Sequence, residues 1–547
     1  MNDLLIGLEA VLSWQPLLFI LVGVVGGIAV GAIPGLTATM TIAVLMPFTF
    51  ALDPLSGVCF LLGIYSGAVY AGSVPAILLR IPGTPSSAAT LLDGYPMTLK
   101  GKAGQALTIS LLASGFGGLI GGVLLLALTP VLAGFALSFG PAEFFMLAVF
   151  ALTLIASMSE GAMVKGLISG MVGLLIATVG VDPINGVTRM TFGIDDLQAG
   201  LGFIPVLIGL FGVAEALVRF EKHIRLRSAS PVSPGSFRVP GSQLRRLVPG
   251  MTYSSAIGFG VGVLPGTGGD IGSFIGHNEV KRLARDKSMF GKGDPRGLAA
   301  AESANNASVP GTLAPTLILG IPGNSAAAVL IGALTVHGLR PGPELFSGSP
   351  DLVYSVFLAL VIIPVIMVLV GLAGIRSWGQ ITRIPTQYLW PCVLALSVIG
   401  SFAVQSSLVD AMVTVGAGVL GYFMIKGGFP QAPLVIGLIV GPLAETGFRR
   451  ATIINGGSYD WVLHPVPMIL LIMSLLTLGI PLLRSWKGRT GKSPADQSIN
   501  DGGTDSSLGG TDDPNGTDST TDTDDGATTD SDNFSKDDDG DSGTENT

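Results

Sequence analysis

Apolar residues run along this chain in long blocks. They show neither the two-residue alternation of a half-buried strand nor the narrow stripe of a surface helix. Blocks such as "ALTISLLASGFGGLIGGVLLLALTPVLA" (106–133) and "PMILLIMSLLTLGIPLL" (467–483) are apolar on every face. Each is long enough to cross about 30 Å of hydrocarbon as a helix. They recur to about Leu483 and predict about ten to twelve spanning elements, an all-α polytopic membrane protein. Some blocks carry an interruption. "LILGIPGNSAAAVLIGALTVHG" (317–338) places a Pro-Gly pair and an Asn-Ser pair where they break a helix and strand polar groups in lipid.

The interruptions repeat. "GAIPGLTATM" (31–40) matches "GVLPGTGGDI" (262–271), and "GSVPAILLRIPGTPSSAATLL" (72–92) matches "GTLAPTLILGIPGNSAAAVLI" (311–331). In the second pair Pro75 and Pro82 align with Pro315 and Pro322 at one common offset. Similar breaks in the same order predict an internal duplication. The chain then divides into a short N-terminal segment (1–16), a first repeat with following helices (17–218), a polar loop (219–250), a second repeat with following helices (251–484) and a tail (485–547).

Charge adds orientation. The 219–250 loop holds Arg219, Lys222, Arg225, Arg227, Arg238, Arg245 and Arg246 against Glu221 alone, and 278–296 holds Lys281, Arg282, Arg285, Lys287, Lys292 and Arg296. Both read as cytoplasmic, so the stretch between them is expected to be a re-entrant hairpin with its tip at "LPGTGGD" (264–270). Residues 1–30 and 36–79 hold no Lys or Arg, so the first hairpin is expected to enter from the opposite side, as an inverted repeat requires. Lys100, Lys102, Arg376, Arg383, Lys426, Arg484, Lys487 and Arg489 fit further cytoplasmic loops. Arg449 and Arg450 fall on the outer side by the same parity and fit less well.

Composition agrees with a membrane solvent: 49% hydrophobic, 12% charged, mean hydropathy +0.64. The net charge of −8 hides two populations. From Ser493 onward there are 16 acids and Lys536 alone among bases, leaving the body at +7. The Asp-rich tail lacks apolar residues to offset the entropy of ordering, so it is expected to be disordered; its composition points to a high-salt host more than to an interaction tail. The N-terminus lacks a basic n-region and a small-residue cleavage site, so no removable signal peptide is expected. Cys59 and Cys392 lie in or beside apolar segments and read as small buried hydrophobes, not a disulfide or metal site.

Two repeats with broken segments at matching positions point to a secondary transporter with its site between the repeats. Helix starts after "IPGTPSS" and "IPGNSAA" aim amides at an anion, with Thr84, Ser86, Ser87, Asn324 and Ser325 adding donors beside the Pro82-Gly83 and Pro322-Gly323 breaks. A carboxylate suits such a site. The unwound turns, with Gly35, Thr37, Thr39, Gly266, Thr267, Gly268 and Asp270, are the weaker candidates for a coupling cation, Na⁺ or H⁺. Asn305 and Asn306 in "AAAESANNASVPG", with Glu302 one turn earlier, fall where the repeat places Tyr65 and Ser66; they serve either the site or only the bonding between helices. His337 and Arg340 read as an interfacial or loop pair. "GRTGKS" (488–493) lacks the spacing of a phosphate loop, so no ATP hydrolysis is expected. "GTGGD" resembles the motif of intramembrane aspartyl proteases only loosely, because Thr267 stands where Gly is needed. The Asn306 sequon lies in a membrane segment, and those at Asn515 and Asn533 lie in the tail. No cofactor, metal spacing or nucleic-acid signature is present in the sequence.

Three blocks together resemble one family: "GAIPGLTATMTIAVLMPFTF", "YSGAVYAGSVPAILLRIPGTPSSAATLLDGYPMTLKGKAGQAL" and "AAESANNASVPGTLAPTLILGIPGNSAAAVLIGALTVHGLRPGPELF". They look like the large membrane subunit of tripartite tricarboxylate transporters, the TctA-type permeases, from about Leu17 to about Leu483. The resemblance implies a cation-driven carboxylate importer in the plasma membrane. It implies two partners, an extracytoplasmic binding protein of the TctC type and a small four-helix membrane subunit of the TctB type. It also places Pro82, Gly83, Thr84 and Pro85, and Asn305, Asn306, Pro322 and Gly323, in the family's motifs. The Asp-rich tail departs from the family pattern. The rival readings are a stand-alone carboxylate carrier, an intramembrane hydrolase using Asp270 with Glu302, and a channel.

Overall fold

The computed structural model describes residues 2–158, 163–182, 184–222, 235–264, 268–381 and 389–490. The hairpin tip at Pro265, Gly266 and Thr267, most of the 219–250 loop's first half and the acidic tail from residue 491 lie outside the described residues. Among those described, regular structure is helical apart from a two-residue antiparallel pairing of Gly180–Val181 with Thr188–Arg189.

The first half runs α1 (Asn2–Leu12), α2 (Trp14–Gly31), α3 (Ala38–Leu45), α4 (Pro54–Ala71), α5 (Ser73–Leu79), α6 (Ala88–Leu99), α7 (Ala103–Leu137), α8 (Pro141–Met158), α9 (Met163–Ala177), α10 (Phe203–Ile208) and α11 (Ala214–Lys222). The second runs α12 (Gly241–Val263), α13 (Gly268–Leu283), α14 (Pro295–Leu319), α15 (Ser325–Val336), α16 (Pro343–Gly348), α17 (Pro350–Ile381), α18 (Leu389–Gln405), α19 (Leu408–Lys426), α20 (Gln431–Ile454) and α21 (Pro465–Thr490). Among the described residues, seven stretches are long and apolar enough to cross a membrane unaided: Trp14–Gly31, Pro54–Leu79, Ala103–Val131, Phe203–Glu221, Pro350–Trp378, Leu408–Lys426 and Gln431–Ile454. The shorter apolar helices include Ala38–Thr49 and Ser325–Val336, which the turn and Pro-Gly breaks cut below spanning length.

The duplication is visible in bond geometry. α4 and α14 both begin at an Asp-Pro pair, where proline suits the first helical position and the aspartate caps it. Asp53 Oδ1 accepts from Ser56 N (3.0 Å) and Asp294 Oδ1 from Arg296 N (2.9 Å). At the far end Arg80 (φ +59°) and Gly320 (φ +73°) both adopt the left-handed cap, and Ile81 N→Pro75 O (3.4 Å) matches Ile321 N→Pro315 O (3.3 Å). Helix α2 lies on α4 as α12 lies on α14. A Cβ on Gly31 would fall 2.7 Å from Ala68 Cα, and one on Gly262 would fall 2.7 Å from Ser308 O, so glycine permits both close approaches.

The halves also interlock. α7 of the first half packs on α12 and α14 of the second, while α17 of the second packs on α2 and α4 of the first. The loops expected to be cytoplasmic gather at one end: Lys100 Nζ donates to Lys292 O (2.6 Å), Gln105 Nε2 to Arg238 O (3.2 Å) and Thr108 Oγ1 to Phe237 O (2.9 Å). Arg449, the awkward base, is absorbed by acids: its guanidinium lies 2.8 Å from both Asp182 Oδ2 and Glu445 Oε1. Cys59 is buried and Cys392 exposed, and both are free thiols.

Candidate functional site

The two Pro-Gly loops are built alike because glycine is required at the same point in each. Gly83 N donates to Gly72 O (3.2 Å), and a Cβ on Gly83 would meet Gly72 Cα at 2.7 Å. Gly323 N donates to Thr316 Oγ1 (3.1 Å), and a Cβ there would meet Thr312 Cα at 2.7 Å. Each loop thus folds back on its own preceding helix. The next residue caps the next helix: Thr84 Oγ1 accepts from Ser87 N (3.3 Å) and Asn324 Oδ1 from Ala327 N (2.8 Å). Ser87 Oγ returns the bond by accepting from Thr84 N (3.1 Å), completing a capping box. Some of the amides expected to face an anion are therefore already held by these caps, so the donors left to a ligand are fewer than the sequence implies.

Each loop meets the other half's hairpin. The Pro85–Ser87 turn packs on α13, where Ser273 Oγ donates to Ser86 O (3.0 Å), and α15 packs on α3. Between them lies a polar cluster. Asn324 Nδ2 donates to Tyr65 Oη (2.7 Å), which sits 3.3 Å from Thr312 Oγ1. The start of α13 closes over it: a Cβ on Gly268 would touch the Asn324 side chain at 3.3 Å, and Gly269 faces Asn305 Oδ1 and Ser308 Oγ. Asn305 is only 2% exposed, yet its Nδ2 has no hydrogen-bond partner among the described residues. A buried amide donor left unmade costs about 1–3 kcal/mol, so this group requires explanation. Asn306 differs. Its Nδ2 donates to Glu302 O (3.1 Å) within its own helix, a bond that ties no second helix.

The structure thus brings together Thr84, Ser86, Ser87, Asn305, Gly268, Pro322, Gly323 and Asn324 around the meeting of the halves. Pro82 and Pro85 are exposed on the rim, Ser325 is half-buried, and Asp270 is exposed but within electrostatic reach of Tyr65. Gly266 and Thr267 lie outside the described residues. At the first hairpin Thr37 caps α3, with Thr39 half-buried beyond it. Gly35 (φ +92°) carries the Arg219 guanidinium against it, 2.8 Å from where a Cβ would stand. That guanidinium, ion-paired with Glu215 (2.7 Å), fills the space beside Gly35 and leaves little room for a cation there. His337 Nε2 lies 3.2 Å from Thr49 Oγ1, joining α15 to the turn before α4. Tyr65, Ser308 and Thr312 were not singled out by motif. The repeat register held the signal for Tyr65, which stands opposite Asn305. The hydrolase pairing finds no support in where the carboxylates turn, since Glu302 bonds Thr90 and Ser114. The cleft lined by Val58, Leu62, Leu313, Leu317, Leu330, Ala333, Leu334 and Val356 is wholly apolar and unsuited to a carboxylate.

Residues 17–436 match the model of the tripartite tricarboxylate transporter TctA family. The chain belongs to that family. It is 37% identical over 497 residues, 90% of this chain and 98% of the relative, to a protein of Agrobacterium vitis described as an uncharacterized 52.8 kDa protein in the TAR-I ttuC' 3' region. A second protein of that organism, from the TAR-II ttuC' 3' region, is 33% identical over 230 residues, 42% of this chain and 95% of its own length. No solved structure matches. The matched span runs from the start of α2 into α20, so both Pro-Gly loops and both hairpins of this TctA-family chain lie inside it. As a member, it is a multi-pass membrane component of a tricarboxylate transporter.

Proposed function

We propose that this chain is the permease subunit of a binding-protein-dependent, cation-driven importer of carboxylates, with the cargo held between the two Pro-Gly loops. The observation that carries the site is the unpaired, buried Nδ2 of Asn305, whose side chain meets the start of α13 at Gly269 as Asn324 meets it at Gly268. A carboxylate oxygen is the acceptor that such a donor lacks, and charge-assisted bonds of this kind are the stronger ones. Helix starts at Ala88 and Ser325 add partial positive charge, as do hydroxyls that can turn toward the ligand. Interlocked halves, each presenting its loop to the other's hairpin, supply the two bodies that alternating access needs. The Gly35 turn meets Arg219, on the basic end of the molecule, which supports hairpins entering from opposite sides.

In this reading a TctC-type binding protein delivers cargo from outside and a TctB-type subunit completes the membrane unit. The cell membrane is the site of action, with the acidic tail inside and a salt-rich host its setting. Thr37, Thr39, Gly268 and Asp270 remain the loop positions proposed near a coupling cation, while Arg219 argues against Gly35. The test is direct binding of citrate and smaller carboxylates to the purified full chain in lipid. Asn305→Ala is expected to weaken binding about tenfold, the loss of one charge-assisted bond. Unchanged affinity in that variant excludes Asn305 from the site.

A further inference from the structure

Glu302 is fully buried on α14, and its partners cross from one half to the other. Thr90 of α6 donates to Oε1, Ser114 of α7 donates to Oε2 (2.9 Å), and Ser110 of α7 also bonds the carboxylate. Among the described residues no Lys, Arg or His bonds it. The groups facing it from the elements packed on α14 can be named. α6 and α7 present hydroxyls, and Asp93, one turn on from Thr90, is engaged by His277 Nε2 (2.9 Å) of α13. α12 reaches the neighbouring Ser303 through Ser254 (2.7 Å), and α4 brings Tyr70, whose phenol interacts with the Glu302 charge. Asp270 of α13 lies toward Tyr65, α15 and the Pro85–Ser87 turn hold no titratable residue, and α16 meets α14 at its far end, where Gly342 N bonds Leu317 O.

A carboxylate offset only by hydroxyls is poorly stabilised when ionised. The carboxylate is not a feature of the repeat itself, since the equivalent position of the first repeat is the buried Leu62. Hydroxyls both donate and accept, so they satisfy either protonation state. Backbone packs tightly beside the group: a Cβ on Gly117 of α7 would stand 2.7 Å from the Cα of Ser303, the residue next to Glu302, and hydroxyls already contact both carboxylate oxygens. That leaves a proton, not a metal cation, as the ion that fits.

We infer that Glu302 is the proton-binding residue that couples the gradient to the cargo site, an inference that rests on the transport reading. The ionised carboxylate takes up one proton on an oxygen and releases it from the same oxygen. Ionised, it accepts from Thr90 and Ser114; protonated, it donates to one of them, which changes the bond holding α14 to the first half. Two connections reach the site. Ser110 Oγ lies 2.7 Å from Ser73 Oγ, beside the Gly72 on which the first Pro-Gly loop folds. On α14 itself, Asn306 is tied to Glu302 O, and Asn305 adjoins it.

Difference infrared spectroscopy of the purified full chain in lipid tests this without requiring transport. Raising the pH is expected to remove a carboxylic-acid carbonyl band in the wild type that Glu302→Gln lacks. A Glu302 signal that stays ionised across the pH range, or that follows Na⁺ at constant pH, overturns the proposal. If Glu302→Gln fails to fold, Thr90→Val, which removes one donor to the ionised form, is expected to move that band's midpoint upward; an unmoved midpoint contradicts it. In proteoliposomes of the assembled transporter, Glu302→Gln is expected to lower proton-driven accumulation about tenfold, while exchange with preloaded carboxylate falls by less. Equal loss of both marks a merely structural residue. Should the wild type carry no carboxylate, the transport reading fails while the infrared result still decides the protonation of Glu302.

Discussion

The single atom on which the site depends is Asn305 Nδ2. Its neighbours divide by role: Asn306 closes on its own helix, whereas Asn305 lays its side-chain oxygen against Gly269 and keeps a buried Nδ2 donor unsatisfied among the described residues. Replacing Asn305 with Asp substitutes an acceptor for that donor and adds a like charge to the cargo. Binding of citrate is therefore expected to fall further in Asn305→Asp than in Asn305→Ala; equal affinities measured by calorimetry contradict a carboxylate bound there. Sequence alone left Asn305 and Asn306 indistinguishable, because adjacent residues on a helix point about 100° apart and only the packing of α13 decides which one faces the site. The glycines were more legible. Pro82-Gly83 and Pro322-Gly323 announce themselves as breaks, though not the reason glycine is needed, which is contact with Gly72 and Thr312.

At the scale of elements, that contact is testable in pairs. Gly83→Ala and Gly323→Ala each drive a methyl to 2.6–2.7 Å from backbone atoms. Each is expected to cost about 1–3 kcal/mol, read as a lowered melting temperature of the purified chain. A destabilisation confined to one of them contradicts loops built alike. The 180–189 hairpin makes a separate prediction. The amides of Ile184 and Asn185, with Arg449 beside them, hold Asp182 down to about 2, below its ordinary 3.8. A depressed carboxylate stabilises the ionised arrangement above its ordinary value and loses that stabilisation as pH falls through the lowered one. Protection of the Ile184 and Asn185 amides against hydrogen exchange should therefore drop as pH falls from about 4 toward about 2, and flat protection contradicts the assignment. Parity of charged loops could not supply this element. It placed Arg449 on the less expected side, and nothing in the local pattern shows that Asp182, far away in sequence, is its partner.

For the whole molecule, the helical membrane body and its duplication were readable because lipid demands long apolar blocks and because matched breaks are rare in them. The interlocking was not readable. That α7 clamps the second half while α17 clamps the first depends on long-range packing that no local pattern encodes. Nor was the count of spans: the broken helices are too short to register as crossings by themselves, so among the described residues seven qualify where about ten to twelve elements were expected. The exchange of long helices makes the two halves mutually dependent, and a hydroxyl-bound carboxylate at their seam gives them a switchable contact. The most direct test of the account is uptake of labelled citrate and smaller carboxylates into proteoliposomes holding this chain with its small subunit and binding protein, under an imposed proton or Na⁺ gradient. The account predicts accumulation that needs the gradient and the binding protein and that Asn305→Ala impairs. Absence of uptake of every carboxylate with all components present and folded contradicts it.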